Sequence, residues 1–121
     1  MLAYVTIGTN KKEEALAFYD AIAAELGGQR AFNNDRLQFY SNGEGGLFGV
    51  GQPFDEETAS CGNGVMPALA APSTEAVDKA YAKALELGAT DEGAPGERVP
   101  TFYGAYFRDL DGNKICVCKF G

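Results

Sequence analysis

The chain has no histidine and no tryptophan in 121 residues, two methionines and three cysteines. The missing histidine excludes the most. Ser-His and Cys-His nucleophile pairs cannot form. Zinc, iron and nickel lose their commonest protein ligand. Cys61, Cys116 and Cys118 are odd in number and unevenly placed, so they make no disulfide framework. Cys116 and Cys118 lie two apart on one predicted strand, an awkward geometry for a bridge, and are expected as reduced core thiols. No run of about 18 apolar residues exists, so no membrane-spanning helix is expected. Basic residues are scarce and scattered: Lys and Arg total 10 against 17 Asp and Glu, a net charge of −7. Nucleic-acid binding needs a basic surface to displace counterions, and none is visible. An anionic ligand would need a local basic pocket, for which Arg36, Arg98 and Arg108 are the candidates. The first residues, MLAYVTIGTNKK, lack the pattern of a signal peptide and read as a strand. A cytoplasmic protein is expected.

What is present supports one domain with a real core. Leu2 to Thr9 is strand-like, with Tyr4, Thr6 and Gly8 on one face. Asn10 reads as a helix N-cap, with Glu13 completing a capping box. Helix one is expected over Lys11 to Leu26 on an apolar stripe that includes Ala15, Phe18, Tyr19 and Ile22, and Gly27-Gly28 ends it. Three short strands follow: Gln29 to Phe32, Arg36 to Ser41 and Gly46 to Gly51. The polar segment Gln52 to Asn63 connects two halves. Gly64 to Ala71 is a new strand, and Ser73 caps a second helix whose stripe is Val77, Ala80, Tyr81, Ala84 and Leu87. A short strand at Ala89 to Glu92 precedes a long loop, Gly93 to Phe102. A terminal hairpin closes the chain. Its tight turn carries Asp109, Asp111, Gly112 and Asn113, and turn chemistry explains the two carboxylates. On its second strand Lys114, Cys116, Cys118 and Phe120 share one face.

The order is strand, helix, three strands, written twice. Glu25-Leu26-Gly27-Gly28 and Glu86-Leu87-Gly88-Ala89 close the two helices at an offset of 61 residues, and Glu14-Ala15-Leu16 and Glu75-Ala76-Val77 repeat at the same offset. A duplicated half-domain is implied, with modules over roughly residues 1–52 and 63–121. The structural competitor is a ferredoxin-like βαββαβ fold, which leaves about two strands over.

Three segments in order resemble the glyoxalase/bleomycin-resistance/dioxygenase (vicinal oxygen chelate) superfamily. They are YVTIGTNKKEEALAFYDAIAAELG, GNGVMPALAAPSTEAVDKAYAKALELGA and the closing GAPGERVPTFYGAYFRDLDGNKI. The resemblance implies an α+β fold of two βαβββ modules whose curved sheets enclose a ligand cleft. It also implies a homodimer, and unpaired sheet edges would need covering in any case. Enzymes of the family hold a divalent metal, typically through two histidines and at least one glutamate. The metal chelates vicinal substrate oxygens and stabilises an oxyanion as a Lewis acid. The matching positions here are Tyr4, Phe48, Met66 and Cys116, which do not suit a hard divalent ion.

An apolar, aromatic cleft is therefore expected, lined by Tyr4, Phe48, Met66, Arg98, Tyr103 and Cys116. No cofactor is expected. The alternatives are a divalent metal on atypical ligands or a soft Cu(I) site on Met66, Cys116 and Cys118. Tyr4 reads either as a hydroxyl donor or as a core aromatic. Cys116 reads either as core or as a nucleophile activated by Arg98 or Arg108. Arg98 reads either as an anion contact or as an exposed loop charge. Tyr103 and Tyr106 are expected on different faces. The functional expectation is binding of a small, partly hydrophobic or aromatic molecule. The alternative is a glyoxalase-like lyase or isomerase, or a dioxygenase.

Overall fold

The computed structural model describes residues 1–121. Its elements run β1 (Tyr4–Gly8), α1 (Lys12–Glu25), β2 (Gln29–Asn33), β3 (Leu37–Ser41), β4 (Leu47–Gly51), β5 (Ala68–Ala70), α2 (Thr74–Glu86), β6 (Thr90–Val99), β7 (Phe102–Arg108) and β8 (Lys114–Phe120). Two four-stranded mixed sheets result, ordered β1-β4-β3-β2 and β5-β8-β7-β6. In each, the first strand runs parallel to the last strand of its module, and the remaining neighbours are antiparallel. This is the expected α+β architecture of two βαβββ modules.

Local chemistry differs from expectation in two places. Asn10 does not cap α1. Its side chain instead accepts from the Ala59 amide at 2.7 Å and donates to the Ala59 carbonyl at 3.1 Å, tying the connecting segment to the first module. The start of α1 is held by the terminal hairpin turn: Asp111 accepts from the Asn10 amide at 2.9 Å and from the Thr9 hydroxyl. Ser73 does cap α2, accepting from the Ala76 amide at 3.1 Å. The segment expected as a long loop after Glu92 is strand: β6 pairs with β7 from Thr90↔Arg108 to Val99↔Phe102, with register shifts on either side of Gly93 and after Glu97. Bulges accommodate the glycines, and an edge strand tolerates Pro95 because its missing N–H faces no partner. Turn-rich composition hid an irregular edge strand.

The helices cover one face of each sheet and pack against each other. One core of 18 buried residues joins both modules. It takes Phe18, Tyr19 and Ile22 from α1, Val77, Ala80 and Ala84 from α2, and inward residues of both sheets such as Phe48, Val50, Phe107 and Ile115. The alanines of α2 permit close approach, and Phe18 meets Phe107 edge-on at 6.0 Å. Between the modules, the buried Tyr19 hydroxyl donates to Asp109 at 2.6 Å and Asn113 donates to the Gly8 carbonyl at 2.9 Å.

This arrangement turns the uncovered sheet faces away from the shared core. No strand of the first sheet approaches a strand of the second within 8 Å between Cα atoms. The cleft expected between the two sheets is therefore not closed within one chain.

Candidate ligand-binding faces

Strand alternation decides what each uncovered face carries. On the first sheet, β1, β4 and β3 pair in the register Tyr4↔Leu47, Thr6↔Gly49 and Phe39↔Gly49. Tyr4, Thr6, Gly49 and Phe39 consequently share the open face. The rings of Tyr4 and Phe39 meet edge-on at 5.3 Å, and Phe32 from β2 lies 5.9 Å from Phe39. Gly49 makes this possible: a Cβ there would lie 2.7 Å from the Phe39 ring and 3.1 Å from the Thr6 methyl. Phe39 is buried, while Tyr4 is 57% and Phe32 63% exposed. Two aromatic rings thus stand in solvent on a fixed aromatic base.

On the second sheet, Arg108↔Lys114, Tyr106↔Cys116 and Gly104↔Cys118 place these side chains on the open face. Arg98 reaches over from β6, with its guanidinium 5.3 Å from the centre of the Tyr106 ring. The Lys114 ammonium lies 5.9 Å from the same ring. Beneath them Cys116 and Cys118 are buried. The Cys118 thiol is lowered to about 7 because Cys116 hydrogen-bonds to it, and the same interaction, with burial, raises Cys116. Burial raises the Tyr106 hydroxyl as well.

The expected site residues divide between these faces and the core. Tyr4 lies on the open face of the first sheet, and Arg98 and Cys116 on that of the second. Met66 precedes β5 and is exposed. Phe48 points the other way, into the core, with its ring 5.1 Å from that of Tyr19. Matching bonds between the modules explain the shift. Thr9 donates to the Gly51 carbonyl at 2.9 Å as Ala71 donates to that of Cys118 at 2.7 Å. The counterpart of Cys116 is then Gly49, one residue beyond Phe48. Tyr103 also faces inward, donating to Asp78 of α2 at 2.7 Å, and Tyr106 occupies the open face instead. Phe32, Phe39, Gly49, Tyr106 and Lys114 were missed, although alternation along β3 and β7 carried the signal for Phe39 and Tyr106.

Tyr4 and Phe48 also border a groove of about 260 Å³, floored by Tyr19 and Ile22 and walled on its far side by Leu69 of β5. It marks the gap between the unpaired edges of β1 and β5.

The donor set does not fit a catalytic divalent metal. The open-face donors nearest the family's metal positions are a phenol and thiols, with the Met66 thioether beside β5. No group of three or more His, Cys, Asp or Glu side chains could hold an ion. Hard divalent ions favour carboxylate oxygen or imidazole. No helix is long and apolar enough to cross a membrane.

Comparison with known proteins agrees with this architecture. The family model "Glyoxalase/Bleomycin resistance protein/Dioxygenase superfamily" matches residues 1–117. A crystal structure of a glyoxalase/bleomycin resistance protein from Albidiferax ferrireducens is 38% identical, with a TM-score of 0.89 over 98% of this chain and 97% of that one. A family enzyme from Burkholderia phytofirmans shows 22% identity and a TM-score of 0.73, covering 98% of both chains. A superfamily member from Sphaerobacter thermophilus shows 22% identity and 0.65, covering 98% of this chain and 95% of that one. The two at 22% identity carry the fold alone. No curated protein matches the sequence. The chain belongs to the glyoxalase/bleomycin resistance protein/dioxygenase superfamily.

Proposed function

We propose that this chain binds a small, partly aromatic molecule without a bound divalent metal. The observation that carries the reading is the cluster of Tyr4, Phe39 and Phe32 on the open face of the first sheet. Exposed aromatics on a rigid scaffold cost solvation and supply ligand contact area. Gly49 is the counterpart of Cys116, and it opens room for an aromatic ring. The donors on these faces do not suit a hard divalent ion.

A second copy of the chain completes the site in this reading. One chain leaves its two open faces apart and the edges of β1 and β5 unpaired. Exposed edges invite pairing with another chain. A dimer that set the aromatic face of one copy against the basic, thiol-bearing face of the other would enclose a cleft with apolar walls and polar anchors. Sedimentation velocity at micromolar concentration is expected to give a dimer. A monomer across the whole accessible range would remove this part of the proposal.

The binding claim is tested by a thermal-shift screen of small aromatic compounds. A ligand that binds only the folded protein raises its melting temperature by mass action. At least one aromatic compound is expected to do so, with the shift reduced in Tyr4→Ala. A library in which no aromatic compound stabilises the protein would overturn the reading.

A further inference from the structure

We infer that the open face of the second sheet is an anion subsite, at which Arg98 and Lys114, flanking Tyr106, take the carboxylate of a small aromatic acid. The inference rests on the binding role proposed above and names its ligand class.

Charge is the first observation. The chain carries −7 overall, yet this face gathers Arg98, Arg108 and Lys114 around one acidic neighbour, Glu92. That carboxylate is shared between Arg108 at 3.6 Å and Lys114 at 3.9 Å. Arg98 forms no ion pair with a carboxylate, although acidic residues outnumber basic ones. The acids nearest in sequence are engaged elsewhere. Glu97 stands opposite the inward-facing Tyr103, and Asp91 accepts from Tyr81 of α2 at 2.8 Å.

Backbone design is the second. Gly93 and Gly96 lie where the Arg98 side chain folds back. A Cβ on Gly96 would stand 2.9 Å from Nη1, and one on Gly93 would stand 3.3 Å from Nη2 and 3.0 Å from the Tyr106 ring. Gly93 has φ +155. The bulges of β6 thus re-aim an edge strand so that a guanidinium lies over a ring. An arginine placed only to guard a sheet edge would extend into water. This one is held by the Ala94 carbonyl and the Tyr106 ring, and its guanidinium has more donors than that one carbonyl uses.

Ligand chemistry follows. A planar guanidinium fork matches a carboxylate, and the Lys114 ammonium, 5.9 Å from the same ring centre, adds a point charge. The partly exposed Tyr106 ring beside them adds apolar contact for an aromatic group. A phosphate would meet the same fork, so phenyl phosphate is the probe that separates a carboxylate site from a general anion site.

The test is a nitrogen-15 NMR titration of the full chain with benzoate, salicylate and cinnamate, each against its neutral amide, and with phenyl phosphate. The acids are expected to bind at least about tenfold more tightly than their amides, the scale of one charge-assisted hydrogen bond. Shifts should centre on Arg98, Tyr106, Lys114 and Cys116. Arg98→Gln should reduce the preference for the acid several-fold, with Lys114 supplying what remains, and Arg98→Lys should retain more of it. Arg98 is exposed, so these variants should fold. Equal binding of acids and amides, a preference unchanged in Arg98→Gln, or tighter binding of phenyl phosphate would overturn the subsite while leaving small-molecule binding in place. Failure of every acid and every amide would overturn both.

Discussion

Cys116 and Cys118 share one face of β8, where both are buried and each thiol shifts the titration of the other. The pair titrates as a unit, with the first proton leaving early and the second late. Cys118 is lowered from 9.0 to about 7 by the hydrogen bond from Cys116. Between these values the unfolded chain holds a proton that the folded chain has released. Unfolding then takes up a proton, so this thiol adds stability as pH rises from about 7 to about 9. The contribution is present above the unfolded value and is lost as pH falls through the folded one. Urea unfolding of the parent and Cys118→Ser across that window should show the rise only in the parent; parallel curves would contradict it. Residue-scale features were only partly legible in the sequence. Alternation correctly placed Tyr4 and Cys116 on one face of their strands and separated Tyr103 from Tyr106. It did not reveal which of the two tyrosines faces the helix, because that depends on Asp78 of α2. The shift from Phe48 to Gly49 came from module alignment, since the module termini differ in loop length.

The hairpin turn from Asp109 to Asn113 does more than reverse the chain. Asp109 is buried and accepts from the Tyr19 hydroxyl, from the amides of Asp111 and Asn113 and from the Asn113 side chain. Asp109→Ala should strand several buried donors and cost about 3 kcal/mol in urea unfolding. A loss under about 1 kcal/mol would show that water replaces the carboxylate. Caps separate in the same way. Ser73→Ala should cost about 1 kcal/mol through the exposed start of α2. Asn10→Ala should instead speed amide exchange at Ala59, since its side chain holds that segment rather than a helix end. Normal protection at Ala59 in that variant would refute the assignment. The sequence made α1, α2 and most strands legible through periodicity and glycine stops. It concealed β6, whose two glycines and one proline have the composition of a loop while it stays paired to β7 through its bulges.

At the scale of the molecule, duplication was visible in the 61-residue offset, and the fold it implied is present. What the repeat could not give is how the modules face each other. That orientation is set by α1 against α2, through Phe18 on Phe107 and the alanine face of α2, and by the hairpin turn seated at the start of α1. Nothing in either module alone specifies it. Because both helices lie inside one core, the open faces turn outward and no closed cleft forms within one chain. The central claim is that these faces recognise a small aromatic molecule by their own side chains, without a divalent ion. The measurement that tests it most directly is calorimetric titration of cinnamate into protein dialysed exhaustively against EDTA, repeated after adding Zn²⁺. Binding with the same Kd is expected in both. Binding lost in EDTA and restored by Zn²⁺ would contradict it.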